Sequence, residues 1–137
     1  MCIITLTKSP VNKKENEHGQ SFKSNFDRCR KQGETYTDIM AQMSDKFKVI
    51  AVAEPIESRR NNIQKKHQIA DDLCFEDWKP LLDLGKIADV AVISTMDKQH
   101  LEPTLKAISL QYDILLEKPV SPDPEECNKI ADYAEQM

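Results

Sequence analysis

Short aliphatic runs separated by polar, helix-length stretches set the rhythm of this chain from about Gly33 onward. Lys48-Val-Ile-Ala-Val-Ala53 is a β-branched apolar run that ends at Glu54-Pro55, and Asp89-Val-Ala-Val-Ile-Ser94 and Ile114-Leu115-Leu116 repeat the type. Apolar runs of this length without polar alternation mark strands buried on both faces. Between them Glu57–His67 is polar and helix-compatible, and Leu73-Cys74-Phe75 is a short strand candidate. Glu76–Leu84 reads as a helix packing Trp78, Leu81 and Leu82; Trp78 is assigned to the core. The segment His100–Leu110 sets Leu101, Leu105 and Ile108 on one helical face, with Pro103 in its first turn. Asp123-Pro124-Glu125-Glu126 opens a last helix with acids where the helix dipole favours them. Strands alternating with helices imply right-handed crossovers. The expected class is α/β, with a parallel, doubly wound sheet.

Residues 1–32 do not keep this beat. Beyond Met1–Leu6 they hold no sustained period, and Lys13-Lys14-Glu15-Asn16-Glu17-His18 is simply polar. The expected division is an aberrant or disordered segment over 1–32 and a partial domain over 33–137. A chain of 137 residues buries one modest core. Its net charge of −4 argues against nucleic acid as a partner, since Lys13-Lys14, Arg59-Arg60 and Lys65-Lys66 are balanced by neighbouring acids. No apolar run is long enough to cross a bilayer, and Met1–Pro10 lacks the features of a secretory signal. The four cysteines, Cys2, Cys29, Cys74 and Cys127, form no C-x-x-C pair. No metal site is expected, and reduced thiols in a cytoplasmic protein are.

Two strand ends carry candidate chemistry. Glu54 closes a strand about twenty residues after Gly33, the distance at which a dinucleotide-binding βαβ unit holds its ribose-binding acid. Glu117-Lys118-Pro119 ends another strand, and the proline biases Lys118 to an extended backbone that projects its ammonium from the tip. A lysine there can donate to a substrate oxygen; the alternative is an exposed lysine closing an ordinary strand.

With Val49-Ile-Ala-Val-Ala-Glu54-Pro55, Cys74-Phe-Glu-Asp-Trp78, Ala91-Val-Ile-Ser-Thr95 followed by His100, and Leu116-Glu-Lys-Pro119, the chain resembles the glucose–fructose oxidoreductase / inositol dehydrogenase / MocA family from Gly33 to its last residue. The resemblance implies an N-terminal Rossmann domain and hydride chemistry with NAD on a sugar, polyol or related hydroxy compound. It implies that Glu54 holds the adenosine ribose, while Arg59 or Arg60 leaves NADP open. Thr95 and Asp97 would line the dinucleotide, and His100 would lie near the nicotinamide or serve as a helix cap. Glu117, Lys118 and Pro119 match the family's signature, with Lys118 bonding the reacting hydroxyl and Glu117 setting the local charge. Gly33 would end the phosphate-binding glycine motif.

The glycines before Gly33 are missing. Arg28 and Arg30 stand where the motif needs residues without side chains, so that backbone can approach a pyrophosphate. Codons for Phe26–Gln32 can be written so that a frame offset by one nucleotide restores Gly-x-Gly, and residues before Gly33 are read as an out-of-frame product. The apolar strand that should precede the motif is missing too, which leaves the Lys48 and Asp89 strands without their shared neighbour. Met1-Cys-Ile-Ile-Thr-Leu6 is the candidate substitute. Weak or absent NAD binding and no activity of this chain alone are expected, the substrate domain being absent. An NAD-dependent glycosidase of the same family and a non-catalytic Rossmann-like module are the alternatives.

Overall fold

The structure, a computed structural model, describes residues 2–8, 36, 38–40 and 42–137. Gly33, Arg28, Arg30 and the offset reading built on them lie outside the described residues, as does most of the segment expected to be disordered.

Among the described residues five strands form one sheet: β1 (Cys2–Lys8), β2 (Phe47–Ala53), β3 (Cys74–Phe75), β4 (Val90–Ser94) and β5 (Asp113–Leu116), in the order β3-β2-β1-β4-β5. Four strands share one direction, as expected for the α/β class. The central one, β1, runs against both neighbours, pairing Ile3 with Ala53 and Ile93, and Cys2 with Ser94. The expectation that β2 and β4 lose their shared neighbour is therefore overturned. A strand buried on both faces needs only apolar side chains in either direction, and residues 2 to 6 are all buried. Ile3 packs with Ala51, Ala53, Ala91 and Ile93 on one face, while Cys2, Ile4 and Leu6 pack with Val49, Val52 and Val92 on the other. The pairing with β2 shifts between Thr5 and Leu6, a bulge that leaves Ile50 unmatched. The boundary expected at residue 33 thus does not separate Cys2–Lys8 from the sheet.

Helices cover both faces. The sequence places α1 at Glu57–His67, α2 at Trp78–Asp83, α3 at Leu101–Ser109 and α4 at Pro124–Gln136. α1 buries only Ile63 and meets the Ile4 face, together with the helical residues Tyr36 and Met40 that precede β2. α2 and α3 cover the Ile3 face through Leu81, Leu82 and Ala107. Two expectations change here. In α3 the fully packed residues are Pro103, Thr104 and Ala107, while Leu101, Leu105 and Ile108 are half-buried. α4 packs against α3 from a second side, so small side chains lie flat on the sheet and larger ones spread around the flank. β5, expected to be buried, is an edge strand with Leu115 43% exposed.

The helix ends are built by local chemistry. The Asp77 side chain accepts from the Lys79 amide at 2.8 Å, and Asp123 accepts from Glu125 at 2.9 Å ahead of Pro124. α1 has Glu57 in its first turn and Lys65, Lys66 and His67 in its last, matching its dipole. The far end of β1 is tied by Asp89, whose amide donates to Leu6 and whose carboxylate accepts from the Lys8 amide, both at 2.9 Å.

Two buried hydroxyls, those of Thr5 and Thr104, have no hydrogen-bond partner among the described residues. Thr5 is fully buried between Ala51 and Ala91. Valine has the same shape without the hydroxyl. Thr5→Val is expected to raise stability by about 1 kcal/mol, read as an upward shift in a thermal melt. A drop in melting temperature would show that the hydroxyl has a partner.

Candidate functional site at the strand tips

Because β2 and β4 both oppose β1, and β5 follows β4, the carboxyl ends of β2, β4 and β5 share one end of the sheet. Helices change faces around the centre of this sheet, and in open α/β sheets such a point is where ligands bind. Glu54 follows β2, Thr95 follows β4, and Glu117-Lys118-Pro119 follows β5. The Cys2 end of β1 lies between Glu54 and Thr95, which puts those two about 10 Å apart across the sheet.

Glu54 is 3% exposed. Its amide donates to Phe75 at 2.9 Å, and its Oε1 accepts from the Ile56 amide at 2.9 Å as the chain turns into α1. Arg60, one helical turn on, donates from Nη1 to the Glu54 carbonyl at 2.5 Å, and its Nη2 lies 3.2 Å from Glu76 Oε1. Arg60 is engaged by protein. Arg59 is half-buried on α1, and Asp97 is exposed in the turn after β4. No ion pair among the described residues joins either to the other site groups.

The second group surrounds His100, which is fully buried. Its Nε2 lies 3.1 Å from the Thr95 carbonyl, and its Nδ1 lies 3.0 Å from both the Pro119 and Val120 carbonyls. The ring fastens the β4 turn to the loop after β5 and has no free edge for a ligand. Thr95 itself is buried, its hydroxyl 3.4 Å from the Met96 carbonyl.

The third group is Glu117 and Lys118. The Glu117 amide donates to Ile93 at 2.9 Å, extending the β5 ladder by one residue. Its Oε2 accepts from the Lys118 amide at 3.1 Å, and its Oε1 accepts from the Tyr36 hydroxyl. Lys118 is exposed, no carboxylate among the described residues pairs with it, and its peptide bond to Pro119 is cis. Tyr36 is the residue that sequence reading missed, although an aromatic with a polar tip three positions after Gly33 was there to be noticed. Trp78 lies against the core, as expected, with Lys79 Nζ 5.5 Å from its ring centre.

The sheet is covered by helices on both faces and presents an acid, a threonine and a lysine at one set of strand tips. The chain belongs to the oxidoreductase family with an NAD-binding Rossmann fold, whose sequence model matches residues 29–137. That match excludes β1. Among solved structures the chain is similar to an NAD binding oxidoreductase from Klebsiella pneumoniae, with 19% identity and a TM-score of 0.55 over 65% of this chain. The likeness is one of fold, and the chain spans 23% of that protein's length. No curated protein matches the sequence. Among the described residues, no His, Cys, Asp and Glu cluster suits a metal ion, and no helix is long and apolar enough to cross a membrane.

Proposed function

We propose that this chain is the NAD-binding part of an oxidoreductase that transfers hydride to or from a sugar, polyol or related hydroxy compound. The observation that carries the reading is the shared end of the sheet at which Glu54, Thr95 and Lys118 emerge. NAD, when bound, supplies the hydride acceptor. Glu54 accepts from the adenosine ribose hydroxyls at the β2 tip, and its charge repels a 2′-phosphate. Arg60, held by the Glu54 carbonyl and Glu76, is not free to receive that phosphate, which favours NAD over NADP. Lys118 extends its ammonium at the β5 tip, where it donates to the reacting oxygen. Asp97 and Arg59 flank the dinucleotide at its rim, and Gly33 is the residue assigned to its pyrophosphate.

The residues suit the ribose end of the cofactor better than its phosphates. A central strand running in the usual direction delivers the chain straight into the phosphate loop, whereas β1 carries it to the opposite end, beside Phe47 and Asp89. The expected affinity for NAD is therefore on the order of millimolar rather than micromolar. Calorimetric titration with NAD and NADP tests both statements. Measurable NAD binding, weaker NADP binding and loss of that preference in Glu54→Gln are expected. Equal affinity for the two nucleotides, or a preference that survives Glu54→Gln, would remove the role given to Glu54.

The reversed β1 favours a second reading, in which the domain serves as a non-catalytic binding module in cytoplasm. Complete absence of NAD binding in a folded chain would select it.

A further inference from the structure

Tyr36 connects two parts of the site that the sequence treats separately. It sits three positions after Gly33 at the helical residues before β2, and its ring packs against the cluster of Cys2, Ile4 and Val52. Its hydroxyl donates to Glu117 Oε1, while the Lys118 amide donates to Oε2. The carboxylate is thus gripped from two sides, by the helical residue Tyr36 and by the tip of β5. β5 is a four-residue edge strand paired on one side, and its tip is otherwise held by the Glu117 amide on Ile93 and by His100 against the Pro119 and Val120 carbonyls.

We propose that Tyr36 is a positioning residue for Lys118, a latch that fixes Glu117 and with it the backbone from which the lysine projects. The inference rests on the proposed function only in taking Lys118 as the group that meets the substrate. Charge-assisted hydrogen bonds to a carboxylate are among the stronger polar contacts, and one carboxylate receiving two donors fixes its rotamer as well as its position. With Glu117 held this way, and bonded to Ile93 through its own amide, the following residue leaves the strand in one direction.

The phenol holds and does not transfer a proton. Burial, then the hydrogen bond to Glu117 and its negative charge, push Tyr36 up to about 12 from an ordinary 10.0. At neutral pH only about one molecule in a hundred thousand carries the phenolate. The folded value lies above the unfolded one, so the latch contributes its full stability below pH 10.0 and loses it as pH rises through about 12.

The test uses the full chain with Tyr36→Phe, Glu117→Gln and the double variant. Ultraviolet titration of the tyrosines is expected to lose its highest step in Tyr36→Phe and to move that step down in Glu117→Gln. Tyr112, raised by burial despite the opposing backbone hydrogen bonds at Ile87 and Ala88, is expected to stay in place. Hydrogen exchange of the Lys118 amide is expected to quicken about tenfold in Tyr36→Phe. The melting cycle over the four proteins, which serves if alkali unfolds the chain, is expected to show a double variant no less stable than the worse single one. Additive melting losses, or Lys118 exchange unchanged in Tyr36→Phe, would overturn the latch. NADH titration of the unmutated chain reports separately: absent binding with an intact Tyr36 coupling removes the oxidoreductase reading and leaves the latch.

Discussion

Aspartate in place of Ile4 is expected to unfold the sheet. Ile4 is fully buried in the central strand, opposite Val52 and Val92, and packed with Leu6, Val49 and Ile63. Burying an isoleucine contributes about 1.5–3 kcal/mol, all of it lost. A carboxylate with no partner in that apolar cluster adds several kcal/mol more, roughly 3–5 by comparison with broken buried pairs. Small domains hold about 5–15 kcal/mol in total. The loss therefore takes most or all of the stability, and the variant is expected to lack a cooperative melt by circular dichroism. Leu115→Asp is the control: the same charge on the edge strand, at a side chain 43% exposed, is expected to shift the melt by a few degrees at most. The effect also locates β1, which lies outside the family match at 29–137. If Ile4→Asp melts cooperatively near the parent temperature, residues 2–8 do not occupy the centre of the sheet.

That strand separates what the sequence could tell from what it could not. The segments Lys48–Ala53, Asp89–Ser94 and Glu57–His67 emerged within a residue or two of the observed elements, because aliphatic runs and polar stretches report burial directly. Met1–Leu6 offered only a candidate substitute strand. Their direction was silent, since alternation puts Ile3 and Thr5 on one face and Cys2 and Ile4 on the other whichever way the chain runs. Direction is decided by long-range pairing, which no local pattern records. The edge position of β5 was hidden for a related reason: Ile114-Leu115-Leu116 is as apolar as a central strand, and only its neighbours reveal the open side. At the site, the acid and lysine were legible because charges at strand ends stand out from aliphatic runs. Arg59 and Arg60 were not separable, as adjacent helical positions differ in facing by a rotation that is fixed only once α1 is placed. Arg60 turns back to the β2 tip. Tyr36 escaped because its partner lies 81 positions away.

Leucine in place of His100 is expected to loosen the loop after β5 and cost about 3–5 kcal/mol. The ring is fully buried, and its contacts are all with backbone carbonyls: Thr95 on one side, Pro119 and Val120 on the other. Carbonyl oxygens only accept, so whatever bonds form here are donated by the imidazole. Leucine has similar bulk but no N–H, and it leaves three acceptors facing an apolar side chain. Each unsatisfied buried acceptor costs about 1–3 kcal/mol, less whatever the exposed residues Pro119 and Val120 recover by turning to solvent. That recovery is the route by which the loop loosens. His100→Asn, whose amide donates from one side only, is expected to recover part of the loss. Thermal melting measures the stability term. Amide exchange at Val120 and Ser121, compared with exchange at Ile93 in the adjoining strand, measures the loosening. A histidine bound to the nicotinamide would behave differently: His100→Leu would then leave the melt within a degree or two of the parent and lower only cofactor affinity.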